Sequence, residues 1–371
     1  MNPEEAPWTK EYHSYYNMRI CGYMDMVCCV VTTISNTLII IVFKRNTTAS
    51  PINTIFIHIA ITETLAILSF LPRSYHEYYR VDRCSIQIHR TREWEEISFH
   101  SYIVAFAFRH TVVWLTVMLG VWRYIAVVHP LKRRHWIEMR VTQKFIIGAY
   151  IFGFIVTIPP YICLAVQPSN VLIDEEGCYV ASNSTIDHKI NDTTIYEFKI
   201  PLENYPTLYT CFTIGYGILI KSLPGIVLTV ISYRLIVTLI RARKRRALMV
   251  VSANRTVVEK QTDRTTIILI LILALFIASE ITHGISVTIT GIVGPGFFWR
   301  HYYYIMEIAN TFAHISESLN FVFYYGMSNQ FRKNFKALFK RNDNRSSHDG
   351  QHINPVAKTG ITETECLETL T

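Results

Sequence analysis

A carboxylate and an imidazole lie within an apolar stretch of this sequence that is long enough to cross a membrane. The stretch covers residues 265–291 and contains FIASEITHGI, in which Glu280 and His283 are about one helical turn apart. An unpaired charge at the centre of a membrane costs at least about 3 kcal/mol. We therefore expect Glu280 to meet either a cation of this chain or a cation of a ligand.

Two basic residues in other apolar stretches could be that partner. Arg109 lies within 97–121, and Lys221 lies within 208–239. One interpretation is that Glu280 pairs with Arg109 or Lys221 and only ties helices together. The other is that Glu280 recognises a cation on a ligand through a charge-assisted hydrogen bond. Both interpretations hold if a ligand cation displaces Arg109 from Glu280. The ligand would then break an internal ion pair and shift the helix arrangement, which couples binding to activation.

The apolar stretches predict an all-α membrane protein built as a bundle of seven transmembrane helices. Each stretch has about 20 residues or more, enough to cross the hydrocarbon as a helix. The chain has 371 residues, of which 50% are hydrophobic and 17% are charged, a composition closer to a membrane protein than to a soluble enzyme. The predicted spans 1 to 7 lie near 22–43, 52–72, 97–121, 143–166, 208–239, 265–291 and 301–325.

The distribution of basic residues predicts the orientation of the chain. Lys and Arg follow the odd-numbered spans, as in RARKRR (241–246), whereas the loop 167–207 after span 4 is acidic. Because Lys and Arg are retained on the cytoplasmic side, we expect an extracellular N-terminus, 1–21, and a cytoplasmic C-terminus in a multi-pass plasma-membrane protein. The net charge of +8 then reflects this bias and an attraction to anionic lipid rather than nucleic-acid binding.

The segment after the bundle, 22–325, predicts a further helix. MSNQFRKNFKALFKR places Phe331 and Phe335 at helical spacing between basic residues, which is typical of an amphipathic helix on the membrane surface, over 326–341. Residues 342–371 are polar, which indicates a disordered cytoplasmic tail.

Two glycosylation sequons fall in the outer loop that this topology predicts. Asn183 and Asn191 each begin an Asn-x-Ser/Thr match and would face the lumen. A chance match is the alternative for each, and the other sequons fall on the inner side.

Motifs near the ends of spans 3 and 7 resemble those of rhodopsin-like (class A) G-protein-coupled receptors. Span 3 ends in WLTVMLGVWRYIAVVHPL, and span 7 continues into LNFVFYYGMSNQFRKNF. The resemblance implies that Arg123, Tyr124 and Tyr324 take part in coupling to a heterotrimeric G protein, with arrestin and a receptor kinase as further partners. Trp122 stands where these receptors have an acidic residue, so another contact must restrain Arg123 at rest.

A closer resemblance comes from WLTVMLGVWRY, TDRTTIILILILALF, SEITHGI and NFVFYYGMSNQFR taken together. This set is similar to invertebrate, nematode-type receptors for myosuppressin and FMRFamide-like neuropeptides. It implies a peptide ligand that ends in amidated Arg-Phe, with Glu280 receiving the arginine. The candidate ligand-binding residues are Glu280, Arg109, His283, Lys221, Glu307 and Tyr304.

Three of these assignments need a comment. Arg109 lies 14 residues before Arg123, about four helical turns, so both face the interior surface. His283 also suits a hydrogen bond between helices, and Tyr304 suits a membrane-interface anchor. The resemblance also places Thr282 where the related receptors have a helix-kinking proline.

The resemblance further implies an ion site in the bundle. Glu63 stands where the family has an aspartate that binds a regulatory sodium ion, and its expected neighbours are Ser316, Glu317 and Asn320. Two adjacent carboxylates either bind a cation or share a proton, so both readings stay open. Sodium is the one cofactor that this resemblance implies.

The cysteines depart from the family pattern. The usual disulfide joins the top of span 3 to the second outer loop, but Ser98 stands at the span 3 position. Cys178 in that loop is then expected to pair with Cys84 on the same oxidising side, with Cys21 and Cys211 as alternatives.

Two other functions compete with a peptide receptor. A chemosensory receptor of the same fold for a small molecule fits the diverged residues Thr282 and His283. A transporter or membrane enzyme is disfavoured, because the sequence shows no inverted repeat, no pair of broken helices and no paired-histidine metal motif.

Overall fold

A computed structural model describes residues 7–45, 50–75, 91–129, 136–163, 165–173, 191–199, 206–249, 277–294, 303–327 and 329–339. The helices are α1 (Pro7–Lys44), α2 (Pro51–Tyr75), α3 (Arg92–Val128), α4 (Met139–Cys163), α5 (Pro206–Gly215), α6 (Leu223–Met249), α7 (Thr282–Val293), α8 (Tyr303–Ser318), α9 (Asn320–Met327) and α10 (Asn329–Phe339). Two π-helical segments join them, Tyr216–Ser222 between α5 and α6 and Ile277–Ile281 before α7.

The described residues include five helical stretches that are long and apolar enough to cross a membrane. They are Ile20–Lys44, Pro51–Tyr75, Arg92–Ala126, Met139–Pro159 and Thr207–Arg241. Predicted span 6 is described from Ile277 and predicted span 7 from Tyr303. The almost entirely helical architecture confirms the predicted fold class.

The surface and the interior of the bundle have inverted polarity. Large apolar side chains such as Val30, Ile162 and Val230 are more than half exposed on the outside. Charged side chains such as Lys221 and Glu307 are buried inside. This arrangement is expected where the outer surface meets lipid and the interior meets polar ligands or partner helices.

A β-hairpin between α4 and α5 is an element that hydropathy did not predict. Strands β1 (Ala165–Ile173) and β2 (Asn191–Lys199) pair antiparallel, with Ala165 opposite Lys199. The run TTIYEF in β2 is rich in β-branched and aromatic residues and was the available signal. The hairpin contacts α3 and marks one end of the bundle, which we call the hairpin end.

Aromatic side chains join α10 to the opposite end of the bundle, which we call the Arg123 end. Phe331 is 1% exposed and packs 5.4 Å from Phe43 of α1, measured between ring centres. Lys333 and Lys336 on the same helix are exposed. The predicted amphipathic helix after the last span is therefore confirmed, with the bounds Asn329–Phe339.

Two glycines set a close crossing between the first π-helical segment and α7. A Cβ atom at Gly217 would lie 2.9 Å from the Gly284 carbonyl oxygen, and one at Gly284 would lie 3.1 Å from the Gly217 carbonyl oxygen. The first distance is one that real Cβ atoms essentially never show, and the second is tighter than nine in ten real Cβ contacts. The two backbones can approach this closely only because both positions lack a side chain.

Candidate ligand-binding site

A small cavity lies between α2, α3, α7, α8 and the first π-helical segment. Its wall combines aromatic and basic side chains. The aromatic ones are Phe70, Tyr102 and Phe106, and the basic ones are Arg109, Lys221, His283 and His314.

Lys221 and Glu280 form a buried ion pair at the wall of this cavity. The Lys221 Nζ atom lies 3.7 Å from Glu280 Oε2, and their side chains are 1% and 7% exposed. The same Nζ atom lies 5.3 Å from the centre of the Phe106 ring, close enough for a cation–π contact. Of the two cations expected near Glu280, the structure therefore selects Lys221.

Both members of this pair lie in π-helical segments. Pro224 follows Lys221 closely and has no N–H to donate, which favours an irregular turn before it. The Leu223 N–H accordingly bonds to the Ile218 carbonyl oxygen, five residues back. The segment that contains Glu280 has no proline, so no residue in it indicated its irregularity, although such segments are frequent at functional sites.

Arg109 pairs with a different carboxylate. Its Nη1 atom lies 3.4 Å from Glu317 Oε1, with side-chain exposures of 12% and 9%. The expectation that a ligand cation displaces Arg109 from Glu280 is therefore wrong. Helical periodicity had placed Arg109 on the interior face correctly but could not say which neighbouring helix it meets.

Glu63 is held by two amide side chains. Asn36 donates to Glu63 Oε2 at 3.2 Å, and Asn320 donates to Glu63 Oε1 at 2.7 Å. Among the described residues, Ser316 makes no side-chain hydrogen bond to this carboxylate. The structure thus brings together Glu63 and Asn320 of the predicted ion site.

The other predicted ligand residues differ in their placement. His283 is buried and lines the cavity. Glu307 is fully buried on α8, outside the cavity wall. Tyr304 lies in the first turn of α8, and its side chain is outside the described part of the structure.

The predictions on the loops lie mostly outside the described residues. Cys84, Cys178 and Asn183 are not described, whereas Asn191 begins β2 opposite Ile173. The alternative partners Cys21 and Cys211 are free thiols.

A buried contact between a histidine and a carboxylate was not predicted from the sequence. His314 Nδ1 on α8 lies 2.9 Å from Asp25 Oδ1 on α1, and Thr311 donates to the same oxygen at 3.2 Å. Asp25 is a carboxylate inside predicted span 1, so the reasoning applied to Glu280 would have singled it out.

At the Arg123 end, Trp122 and Arg123 contact two neighbouring helices. Trp122 is buried and donates from Nε1 to Thr142 Oγ1 on α4 at 3.0 Å. Arg123 lies over the Phe56 ring of α2, 5.2 Å from its centre. Tyr324 packs edge-on against Phe56 at 4.6 Å between ring centres. Tyr124 lies on the last turn of α3, 6.1 Å from the His129 ring.

The helical bundle, its apolar outer surface and the charged side chains buried inside it are those expected of a serpentine membrane receptor. The chain belongs to the family described as serpentine type 7TM GPCR chemoreceptor Srw, whose model matches residues 23–342. Members of this family are receptors and not enzymes.

Two known receptors are similar to this chain over most of its length. The Sex peptide receptor of Drosophila melanogaster is 27% identical over 331 residues, which cover 87% of this chain and 73% of that protein. The G-protein coupled receptor dmsr-1 of Caenorhabditis elegans is 23% identical over 388 residues, which cover 91% of this chain and 72% of that protein.

Proposed function

We propose that this chain is a plasma-membrane receptor for an extracellular neuropeptide that ends in amidated Arg-Phe, and that it activates a heterotrimeric G protein. The observation that carries the proposal is the buried Lys221–Glu280 pair at the wall of a cavity with aromatic side chains. The similarity to a receptor named for a peptide, the Sex peptide receptor, supports it. The N-terminus and the hairpin end then face outward.

Exchange of cations at Glu280 is the proposed binding step. A guanidinium donates two parallel hydrogen bonds to a carboxylate, whereas Lys221 lies 3.7 Å from Glu280, beyond hydrogen-bonding distance. The peptide's arginine therefore makes the stronger contact with Glu280. The phenylalanine ring of the peptide packs against Phe70 and Phe106 in the cavity.

The exchange couples binding to activation because the Lys221–Glu280 pair links the helices of spans 5 and 6. Releasing Lys221 changes how the first π-helical segment and α7 are held together. At the other end of the bundle, Arg123, Tyr124 and Tyr324 engage the G protein, and arrestin and a receptor kinase act on the same face.

Four finer assignments stay predictions. The first is a regulatory sodium ion at Glu63, Ser316 and Asn320. The Arg109 guanidinium already places a cation near this site, 3.4 Å from Glu317. The Cys84–Cys178 disulfide and glycans on Asn183 and Asn191 are the others.

The test is G-protein activation in cells that express the chain. Amidated peptides ending in Arg-Phe are compared with their free-acid forms, and we expect a response to the amidated forms alone. Glu280→Gln should reduce potency by about 10- to 100-fold at unchanged surface expression, because it removes a charged hydrogen bond. Glu96→Gln is the matched control, since Glu96 is an exposed carboxylate paired with Arg92.

A chemosensory receptor for a small molecule is the second candidate. The family whose model matches the chain is described as one of chemoreceptors, and the cavity between the helices is small. Silence toward every amidated peptide, together with activation by a small molecule in cells with confirmed surface expression, would favour this candidate.

A further inference from the structure

Three basic side chains lie on the cavity wall, and the carboxylates that pair with them lie behind it. Arg109, Lys221 and His314 line the cavity. Their partners Glu317, Glu280 and Asp25 pair with them from outside the lining. A ligand group that enters the cavity therefore meets basic side chains first, which favours an acceptor oxygen over a cation.

The Lys221 ammonium has unused donor capacity. Its side chain is 1% exposed, and its Nζ atom has no hydrogen-bond acceptor within reach among the described residues. The nearest oxygen of Glu280, at 3.7 Å, is too distant for a hydrogen bond. Because an ammonium carries three N–H donors, this buried group is ready to receive an oxygen from a ligand.

The cation exchange proposed at Glu280 also requires an acceptor oxygen on the ligand. When a ligand cation takes Glu280, Lys221 loses the carboxylate that neutralises it. A buried cation without a partner is strongly disfavoured, so the ligand must supply an acceptor for Lys221 at the same time. A cation and an acceptor on one ligand keep both chain residues paired.

We infer that the cavity is a subsite for a carbonyl oxygen next to an aromatic ring, with Lys221 and Arg109 as the donors and Phe70 and Phe106 against the ring. Arg109 lies on the lining and can donate into the cavity from the guanidinium that also faces Glu317. The inference rests on the proposed function in identifying this carbonyl as the terminal carboxamide of the peptide. The carboxylate of a free acid has the same acceptor chemistry.

Fragment binding tests the subsite without any G-protein response. The unfolding temperature of the purified full chain is measured with N-acetyl-phenylalaninamide, N-acetyl-phenylalanine and phenethylamine. At about ten times its dissociation constant, a fragment that binds only the folded state raises this temperature by about 2–4 °C. We expect at least one of the two carbonyl fragments to do so and the cation phenethylamine not to.

Variants of the chain test whether Lys221 is the donor to the carbonyl oxygen of the fragments. Lys221→Met alone leaves Glu280 buried without its cation, so the informative variant is the charge-balanced Lys221→Met with Glu280→Gln. We expect it to fold and to lose the stabilisation by the carbonyl fragments. The control Lys336→Met, at an exposed position on α10, should retain it.

Three results would overturn the inference: no stabilisation of the unmodified chain by either carbonyl fragment, equal stabilisation by phenethylamine, or full retention in the charge-balanced variant. The stronger of the two carbonyl fragments tells whether the site prefers a carboxamide or a carboxylate. Fragment binding that depends on Lys221, together with silence toward amidated peptides, would uphold the subsite and reject the peptide as the ligand.

Discussion

The guanidinium carbon of Arg123 lies 5.2 Å from the centre of the Phe56 ring, and so α3 is tied to α2 by a cation–π contact. Phe56 is itself held in place, since it stacks on Phe43 at 5.3 Å and meets Tyr324 edge-on. The preceding residue, Trp122, faces α4 and bonds to Thr142. We propose that these contacts restrain Arg123 in place of an acidic residue at position 122.

Removing the Phe56 ring should release Arg123. We expect Phe56→Leu to raise ligand-independent G-protein activity by about fivefold, because a cation–π contact is worth about 1 kcal/mol. The matched control is Phe43→Leu, which removes a ring that stacks on Phe56 but does not lie under Arg123. Equal basal activity in the two variants, at equal surface expression, would contradict this role for Phe56.

The Trp122–Thr142 hydrogen bond should contribute to stability. Thr142→Val leaves the buried Trp122 N–H without its acceptor, so we expect the free energy of unfolding to fall by about 1–3 kcal/mol. Thermal unfolding of the purified chain measures this loss. Thr229→Val is the control, because the Thr229 hydroxyl bonds only to the carbonyl of Gly225 on its own helix. A loss no greater than that of the control would show that the bond contributes nothing.

The Arg109–Glu317 pair should show strong coupling in stability. Arg109→Gln leaves Glu317 buried without its cation, and we expect a loss of about 3–5 kcal/mol. The double variant with Glu317→Gln should recover most of this loss, since it removes both charges. Unfolding temperatures of the two single variants and the double variant measure this coupling. Additive losses would mean that the two residues act separately.

The close crossing at Gly284 should be needed to keep Glu280 near Lys221. A Cβ atom at Gly284 would lie 3.0 Å from the Ser222 backbone nitrogen, so Gly284→Ala must move α7 away from the first π-helical segment. We expect lower thermal stability, by about 1–3 kcal/mol, and reduced ligand potency. Gly148→Ala is the control, because a Cβ atom there meets open space. Unchanged stability and potency in Gly284→Ala would show that the close crossing is not needed for ligand binding.

Hydropathy and charge explain why the main architecture could be predicted from the sequence. Apolar stretches of membrane length indicate spans whatever their tertiary neighbours, and the spacing of Phe331 and Phe335 indicates the last helix in the same way. Because a carboxylate inside a membrane needs a cation, Lys221 could also be predicted as one of two candidate partners of Glu280.

The remaining features depend on tertiary geometry that periodicity does not contain. Periodicity places Arg109 on the interior face but leaves open whether Glu280 or Glu317 is its neighbour. The irregular turn around Glu280 contains no proline that would have indicated it. Asp25 and His314 lie in different spans, so their pairing follows only once α1 and α8 are known to pack together.

The most direct test of the proposed exchange at Glu280 is a double-mutant cycle between receptor and peptide. An amidated peptide ending in Arg-Phe and the same peptide with neutral citrulline in place of the arginine are each titrated on the unmodified chain and on Glu280→Gln, with G-protein activation as the readout. If the arginine contacts Glu280, citrulline should cost about tenfold or more in potency on the unmodified chain and little on the variant. Equal losses from citrulline on both receptors would contradict the contact and the exchange built on it.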